Sequence, residues 1–247
     1  MSHPTTAVIL GAGFGSRLAP LTDDRPKCAV TLAGEPLSVR MLRQLGERGV
    51  RHGVVVVGHM ADRARELIGA RIGDVAVEYV ENRDFAKTGT MYSTLVGIPA
   101  LSAGGYLIEG DISASEGVID RLTGADPALT HWAVDPWSSK HDGSQLKADE
   151  GGRIVGQAYL RQKTPGPVPG AWKSAGMLKL SPNGAAVMHE YLKKEADAGN
   201  RNVYYDDIVA KHIGAFDIRV LDMTPHVWVE IDNLDDMAEA RANFEKK

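Results

Sequence analysis

The chain has 247 residues, 43% of them hydrophobic and 24% charged, which is typical of a globular protein with one sizeable core. Twenty-eight Lys and Arg residues against 32 Asp and Glu residues give a formal charge of −4, so no overall basic field exists to bind a nucleic-acid backbone. The single cysteine, Cys28, excludes an intrachain disulfide and a thiolate zinc cluster built from this chain. Without a leader pattern or ~18 consecutive apolar residues, we expect a cytoplasmic protein with no membrane partner.

Short apolar runs alternate with amphipathic stretches along the first half of the chain. The pattern predicts strands at residues 7–10, 54–57, 75–80 and 106–108, and helices at 37–48, 61–68 and 91–100. Nearly uninterrupted apolar strands are typical of burial on both faces. These repeated units predict an α/β, Rossmann-like fold with a mainly parallel central sheet flanked by helices.

The second half of the chain is less regular and predicts a smaller mixed region. Strands are expected at residues 132–134, 154–160, 177–180, 216–223 and 227–231, and helices at 184–198, 205–212 and 234–244. The polar, Gly/Pro-rich stretches 138–152 and 163–170 predict loops, which in a compact domain often cover a substrate. We therefore expect one domain over residues 1–247.

A glycine-rich segment follows the first predicted strand. It comprises Leu10, Gly11, Ala12, Gly13, Phe14, Gly15 and Ser16. Backbone N–H groups in such a loop can approach a phosphate, although a tight strand-to-helix turn explains the glycines equally well. The Gly-Lys-Ser/Thr ending of an ATPase-type loop is absent. Pro20 and Pro26 interrupt the helix that a dinucleotide fold requires, which disfavours a nicotinamide enzyme.

The residues after this loop carry the most specific signal. They read RLAPLT from Arg17, RPK from Arg25 and GEPL from Gly34. This order resembles the nucleotidyltransferase family, which opens with Gly-x-Gly-x-Arg-Leu-x-Pro-Leu-Thr, a Pro-Lys pair and Gly-x-Pro-Leu. In this context Arg17 and Lys27 are the candidate catalytic residues, because they could neutralise a triphosphate and the departing pyrophosphate. Taken singly, each would fit a solvated surface charge.

Two apolar runs end in carboxylates. Asp111 follows the predicted strand 106–108, at the edge where open α/β folds bind ligands. Glu230 and Asp232 share one face of the strand near the end of the chain. Two aspartates suffice for Mg²⁺, which completes its shell with water and phosphate, whereas helix capping is the alternative for Asp232. The resemblance implies that Asp111 and Asp232 hold Mg²⁺, because family members place metal-binding aspartates after corresponding strands.

Similarity to the small cytidylyltransferases of the phosphocholine type spans nearly the whole chain and is weakest from about residue 125 to 168. The segments ENRDFA from Glu81 and TMYS from Thr90 resemble motifs that border the nucleotide, and YYDDIV from Tyr204 and EID from Glu230 resemble acceptor-site motifs. The resemblance implies nucleotide contacts from Asn82, Thr90, Ser93 and Gly110, and acceptor contacts from Tyr205, Asp206 and Glu230. It implies CTP as the donor, nucleotide binding mainly by residues 1–124, acceptor binding mainly by 125–247, and a homodimer.

The acceptor is the least determined part of the interpretation. Where phosphocholine enzymes carry a cage tryptophan, this chain reads GSQLK from Gly143. Lys140, Lys147 and Lys173 would instead suit an acceptor with additional negative charge, although solvated lysines are the alternative. Our hypothesis is CMP transfer from CTP to a small phosphonate such as 2-aminoethylphosphonate or phosphonoformate. Phosphocholine, a sugar 1-phosphate or a catalytically idle nucleotide sensor on the same fold stay open as alternatives.

Overall fold

The computed structural model describes residues 3–138, 143–160 without the side chains of 158–160, and 170–245. Its helices are α1 Leu37–Gly46, α2 Ala61–Ile68, α3 Thr90–Gly97, α4 Glu116–Gly124, α5 Pro182–Asp197, α6 Tyr205–Lys211 and α7 Leu234–Phe244. Its strands are β1 Thr6–Leu10, β2 Thr31–Leu32, β3 Glu35–Pro36, β4 His52–Val57, β5 Arg71–Ile72, β6 Val75–Glu81, β7 Gly105–Glu109, β8 Ile112–Ala114, β9 Thr130–Pro136, β10 Gly143–Ala148, β11 Ile154–Leu160, β12 Ala171–Leu180, β13 Ile218–Asp222 and β14 Trp228–Glu230.

The main sheet has a parallel centre and an antiparallel flank. Its strand order is β11-β10-β12-β7-β1-β4-β6-β5, with β9 pairing both β12 and β13. The neighbours β7, β1, β4 and β6 run parallel, whereas β12 is antiparallel to β7, β9 and β10. The parallel strands are those of the predicted repeated units, and the antiparallel flank is the predicted mixed region. The predicted fold class is thereby confirmed.

Strand alternation explains the layers on the two faces of the sheet. In β1, Ala7 and Ile9 pack in the core with α1, α2 and α4, whereas Val8 and Leu10 pack in the core with α3, α5 and α6. Burying each such aliphatic side chain stabilises the fold by roughly 1.5–3 kcal/mol. Apolar side chains of the central strands are thus buried on both faces of the sheet, as the uninterrupted apolar runs in the sequence predict. Polar groups are therefore placed at the carboxyl edge of the sheet.

Two expectations about the elements were wrong or incomplete. The stretch 138–152 is not all loop, because β10 lies within it and pairs with β11 and β12. Ser144 and Leu146 point inward from β10, so only one large apolar residue marks the strand in the sequence. Helix α4 was not predicted at all, although Val118, Ile119 and Leu122 pack it into the core. The predicted loop 163–170 lies outside the described residues except for Gly170.

Candidate active site

A cavity of about 720 Å³ opens at the carboxyl edge of the parallel strands. Most of the residues that the sequence nominated line it, namely Leu10, Gly11, Gly13, Phe14, Gly15, Ser16, Arg17, Lys27, Thr90, Gly110, Asp111, Lys173, Asp206, Glu230 and Asp232. It is also lined by Cys28, Glu109, Gly143, Ser144, Ser174, Gly176 and Tyr204, which the sequence did not nominate. The topology thus assembles residues from both halves of the chain around one space.

The pairing of β8 with β14 brings the two candidate metal aspartates together. Glu230 lies opposite Ile112, and the ladder continues as Ile231 N donates to Asp111 O at 3.0 Å. Ile231 is fully buried in a third apolar cluster, which also contains Leu18 and residues of α7. Packing of this cluster therefore holds the segment after β14 against the segment after the glycine-rich loop.

Lys27 bridges the two aspartates. Its Nζ lies 2.5 Å from Asp111 Oδ2 and 2.5 Å from Asp232 Oδ1. A short 3₁₀ turn, Lys27–Ala29, sets this direction and buries the following Cys28 and Ala29. Burial by itself would lower the pKa of Lys27, but the two carboxylates outweigh burial and raise this pKa above its ordinary value. Lys27 is therefore a permanent cation at this end of the cavity.

Arg17 adds a second cation to Asp232. One of its terminal nitrogens lies 2.9 Å from Asp232 Oδ1, while 70% of the Arg17 side chain stays accessible to solvent. Burial raises the pKa of Asp232, but Lys27 and Arg17 outweigh burial, so the pKa lies below its ordinary value. Helix capping is not the role of Asp232, because Asn233 is the N-cap of α7 and accepts from the N–H groups of Asp235 and Asp236.

The donor set at this end fits a magnesium ion. Asp111 Oδ1 is buried and has no hydrogen-bond partner, and Asp111 Oδ2 and Asp232 Oδ1 contact the same ammonium. The described residues contain no group of three or more His, Cys, Asp or Glu side chains with metal-binding geometry. A cation here would therefore rely on the two aspartates together with water and substrate phosphate, the coordination that Mg²⁺ favours.

Two glycines are required for the close approach of the loop to its neighbours. Gly15 has φ +64, and a Cβ there would lie 2.7 Å from Lys27 Cβ. At Gly110, a Cβ would lie 2.5 Å from Leu10 O, which accepts the Gly110 N–H at 2.9 Å. These contacts explain both glycines without a ligand, and they also leave the loop backbone lining the cavity.

The nominated residues Asn82, Ser93 and Ala12 do not line the cavity in the described structure. Asn82 is 1% exposed, and its Nδ2 donates to Ser93 Oγ and Thr88 Oγ1, each at 3.0 Å. This pair ties the exit of β6 to α3. Thr90 does line the cavity, and its Oγ1 accepts from the N–H of Tyr205 at 3.2 Å, which links α3 to α6.

Carboxylates dominate the opposite end of the cavity. Glu109 Oε1 accepts a hydrogen bond from the Tyr205 hydroxyl at 2.8 Å, and the Asp206 carboxylate accepts one from the Ser144 hydroxyl. Burial, and then the charges of Asp111, Glu230 and Asp206, raise the pKa of Glu109 well above its ordinary value. Burial also raises the pKa of Asp206. Within the described residues neither Glu109 nor Asp206 forms an ion pair with a lysine or arginine, so a cationic ligand in the cavity would favour the ionised form of each.

Of the three nominated lysines, Lys173 lies at the cavity. Its Nζ lies 2.8 Å from Glu230 Oε2 and 5.9 Å from the centre of the Trp228 ring. Burial raises the pKa of Glu230, and the Lys173 ammonium opposes this effect. Lys147 is exposed on β10 and does not line the cavity, while Lys140 lies outside the described residues.

Glu109 and Ser144 are the informative omissions of the sequence interpretation. Glu109 is the last residue of β7, so its position at the carboxyl edge of the parallel strands could have identified it. Ser144 lay in a predicted loop and carried no signal. Tyr205 was nominated but is buried behind Glu109, stacked on Trp132 with ring centres 6.0 Å apart.

Comparison with known proteins places this arrangement in a class. The model of the MobA-like NTP transferase domain matches residues 7–151, more than half of the chain. This region contains the glycine-rich loop, Lys27, Asp111 and the parallel strands of the sheet. Asp232, the second aspartate that contacts Lys27, lies later in the chain. The chain belongs to the family of MobA-like NTP transferase domains, and the predicted resemblance to nucleotidyltransferases is confirmed.

Relatives with named activities cover nearly all of the chain. It is 30% identical over 248 aligned positions to the CMP-5′-(3-aminopropyl)phosphonate synthase of Streptomyces rubellomurinus, which covers 98% of this chain. The chain spans only 39% of the length of that protein. It is 25% identical to the 2-aminoethylphosphonate cytidylyltransferase of Lancefieldella rimae, over 96% of this chain and 92% of that protein.

A solved structure supports the fold at lower identity. The CTP:phosphocholine cytidylyltransferase of Streptococcus pneumoniae superimposes with a TM-score of 0.77 at 21% identity, covering 98% of this chain and all of that one. This likeness confirms the architecture of the sheet and its helices. Among the described residues, no helix is both long enough and apolar enough to cross a lipid bilayer.

Proposed function

We propose that this protein transfers CMP from CTP to a small aminoalkylphosphonate and releases pyrophosphate. The observation that carries the proposal is the division of one cavity into two ends. At one end, the nucleotide end, the glycine-rich loop provides N–H groups for phosphates, and Arg17 and Lys27 provide fixed cations. At the other end, the acceptor end, the buried carboxyl groups of Glu109 and Asp206 suit a cationic substituent on the acceptor. The names of the two phosphonate relatives support this choice of donor and acceptor.

The charges at the acceptor end favour an amine over an additional acid. The sequence interpretation relied on lysines and therefore included phosphonoformate, which carries a carboxylate. Lys173 is paired with Glu230, and Lys147 is exposed away from the cavity lining. Glu109 and Asp206 offer carboxyl oxygens that an acceptor ammonium would hold in the ionised form, whereas an acceptor carboxylate would meet these acids unfavourably, so we expect 2-aminoethylphosphonate to be a much better acceptor than phosphonoformate.

The reaction is an in-line displacement at the α-phosphorus of CTP. A phosphonate oxygen attacks and forms a new P–O bond, the bond to the bridging oxygen of the β-phosphate breaks, and pyrophosphate leaves with that electron pair. The acceptor oxygen is already ionised at neutral pH, so no general base is needed. Catalysis then consists of positioning the two substrates and neutralising their charge.

Each cationic side chain has a defined task in this displacement. Lys27, held between Asp111 and Asp232, stabilises charge on the α-phosphate. Arg17, largely exposed at the cavity mouth, binds the departing pyrophosphate. Asp111 and Asp232 would hold Mg²⁺, which would neutralise phosphate charge when bound. Backbone N–H groups from Gly11 to Gly15 cradle the nucleotide phosphates.

Several further expectations stay predictions. We propose that the cytosine lies against the loop and the start of α3, where Thr90 lines the cavity. Asn82 and Ser93 would then support that wall rather than contact the nucleotide. A homodimer and a cytoplasmic location are expectations from the sequence, as is the division into a nucleotide-binding part, residues 1–124, and an acceptor-binding part, residues 125–247.

The test is pyrophosphate release in the presence of Mg²⁺. CTP, UTP, dTTP, ATP and GTP are each combined with 2-aminoethylphosphonate, phosphonoformate, phosphocholine and glucose 1-phosphate. We expect turnover with CTP and 2-aminoethylphosphonate. Turnover confined to phosphocholine or to the sugar phosphate would replace the acceptor in the proposal, and CTP binding without turnover on any acceptor would favour a nucleotide sensor.

A further inference from the structure

We propose that Glu109 is the residue that makes this protein select acceptors with a primary ammonium group over acceptors with no amine or with a fully methylated one. The inference rests on the proposed function, because it concerns the acceptor end of the same cavity. It goes beyond that function by assigning the selectivity to a side chain that lies outside the family motifs described above.

The position of Glu109 is fixed by its neighbours. It ends β7 and lines the cavity two residues before Asp111. The buried Tyr205 hydroxyl donates to Glu109 Oε1 at 2.8 Å, which restricts the rotation of the carboxylate. No hydrogen bond among the described residues uses Glu109 Oε2, so this oxygen is available to a ligand in the cavity.

Charge pairing singles out two of the five carboxylates in the cavity. Asp111, Asp232 and Glu230 each form an ion pair with Lys27, Arg17 or Lys173. Within the described residues, Glu109 and Asp206 form no ion pair: Glu109 accepts from the Tyr205 hydroxyl, and Asp206 accepts from the Ser144 hydroxyl and from its own backbone N–H. A buried carboxylate without a cation is costly, and a cation supplied by the acceptor would remove that cost.

The spacing along the chain matches an aminoalkylphosphonate. Glu109 and Asp111 are joined through the turn at Gly110 and Asp111, so their backbone positions are at most about 7 Å apart. A two- or three-carbon chain separates nitrogen from phosphorus by about 4–5.5 Å, from ordinary bond lengths. An acceptor with its phosphonate near Lys27 and Asp111 can therefore reach Glu109 with its nitrogen.

The strand beneath Glu109 leaves room for this carboxylate. The register of β12 against β9 shifts between Ser174 and Leu178, and Gly176 lies in that bulge with φ +65. A Cβ on Gly176 would lie 3.3 Å from the carboxyl carbon of Glu109. Bulges next to functional sites commonly redirect side chains, and this one opens the floor of the acceptor end.

The chemistry of the groups distinguishes primary from quaternary nitrogen. A primary ammonium has three N–H donors, which can satisfy Glu109 and Asp206 together. A trimethylammonium group has no donor and is recognised mainly by aromatic cages. Among the described lining residues, Tyr204 is the aromatic side chain near Asp206, while Phe14 makes tilted ring contacts with His59 and Phe85 beside the glycine-rich loop. Carboxylates thus outnumber aromatic rings at this end.

The experiment compares three acceptors that differ only at nitrogen: 2-aminoethylphosphonate, ethylphosphonate and 2-(trimethylammonio)ethylphosphonate. We expect the wild type to prefer the primary amine by at least ~30-fold in kcat/KM. In Glu109→Gln this preference should fall by at least ~10-fold, chiefly through a higher KM for 2-aminoethylphosphonate. Glu78→Gln, an exposed acid on β6 of the same sheet, is the matched control and should keep the wild-type preference.

A second measurement separates this inference from the proposed function. Calorimetry of 2-aminoethylphosphonate and ethylphosphonate binding to the wild type and to Glu109→Gln needs no turnover. An equal loss of binding and turnover for both acceptors in Glu109→Gln would assign Glu109 a structural role and overturn the inference. If no phosphonate releases pyrophosphate from CTP, the proposed function fails, and an ammonium-dependent difference in binding that Glu109→Gln abolishes would still support the site. Equal binding of the two phosphonates to the wild type would overturn it.

Discussion

The two ends of the cavity treat charge in opposite ways. At the nucleotide end, Lys27 and Arg17 lie on the aspartates, so cations and carboxylates are matched before any substrate arrives. At the acceptor end, Glu109 and Asp206 accept from uncharged donors and form no ion pair within the described residues. The nucleotide end, where cations and carboxylates are paired, suits the chemistry common to nucleotide transfer. The acceptor end has carboxyl groups without an ion-pair partner among the described residues, and an ammonium group of the acceptor would pair with them.

The ends also differ in how the chain builds them. The nucleotide end takes most of its residues from the stretch 10–27, whose packing fixes the loop against Lys27, and adds Asp111 and Asp232 from later in the chain. The acceptor end gathers side chains from β7, β10, β12, α6 and β14. Strands β10 and β12 and helix α6 carry none of Arg17, Lys27, Asp111 and Asp232, so a change in these elements can alter the acceptor while keeping those side chains, which allows one fold to serve several acceptors.

The largest effect on activity is expected from removing the Lys27 cation at the nucleotide end. Lys27→Met keeps most of the side-chain volume but leaves Asp111 and Asp232 without their shared ammonium. We expect kcat/KM for pyrophosphate release to fall by ~10³-fold, about 4 kcal/mol of barrier. Circular dichroism verifies folding, and Lys87→Met, at an exposed lysine, serves as the control. A loss below ~10-fold would contradict the role given to Lys27.

The proposed metal ligand gives the next largest effect. Asp111→Asn keeps the size of the side chain but removes the charge that would hold Mg²⁺. We expect at least ~100-fold lower kcat and a higher Mg²⁺ concentration for half-maximal rate. Asp74→Asn, at an exposed turn, should behave as the wild type. Activity within ~10-fold of wild type, about 1.4 kcal/mol of barrier, would show that Asp111 has no central part.

The contrast between the two ends also explains what could be predicted from the sequence. The fold class and the nucleotide end were predictable, because apolar periodicity reports burial and the loop residues are adjacent in the chain. Asp111 and Asp232 were nominated as metal ligands through the family resemblance, and from the residues alone only their positions after strands were predictable. Their common contact with Lys27 was not, because it depends on the pairing of β8 with β14 across more than one hundred residues.

The acceptor end was predictable only in part. Asp206 and Glu230 were nominated from motifs, but the partners that set their charge, Ser144 and Lys173, depend on the pairing of β10 with β12. Because Ser144 and Leu146 alternate with polar residues in a weakly apolar stretch, the sequence predicted a loop there.

Two lysines on neighbouring strands test the acceptor end at intermediate magnitude. Lys173→Met removes the partner of Glu230, whereas Lys147→Met alters an exposed residue on β10. We expect kcat/KM for 2-aminoethylphosphonate to fall by ~10 to 30-fold in Lys173→Met, because Glu230 then carries an unpaired charge. Lys147→Met should change it by less than ~2-fold. A larger effect at Lys147 than at Lys173 would restore the lysine-based interpretation of the acceptor.

The smallest effect is expected on stability, from a residue that supports helix α6 at the acceptor end and does not line the cavity. Glu195 on α5 is 4% exposed and accepts from Lys211 Nζ at 2.8 Å and Asn200 Nδ2 at 2.7 Å, with His212 Nε2 at 2.7 Å. These contacts, Lys211 first, lower the pKa of Glu195 to about 2 and secure the end of α6, the helix that carries Asp206 near its start.

Because this pKa is depressed in the folded state, the contribution of Glu195 to stability is present above the ordinary glutamate pKa. It disappears as pH falls from about 4.5 towards about 2. We expect Glu195→Gln to lower the free energy of unfolding by about 1–2 kcal/mol at pH 7, with kcat within ~2-fold of wild type. Urea denaturation at pH 7, 5 and 3.5 should show the difference shrinking with acid, and Glu190→Gln, an exposed acid on the same helix, should show none. A difference that stays constant with pH would mean that Glu195 stabilises α6 by packing rather than by charge.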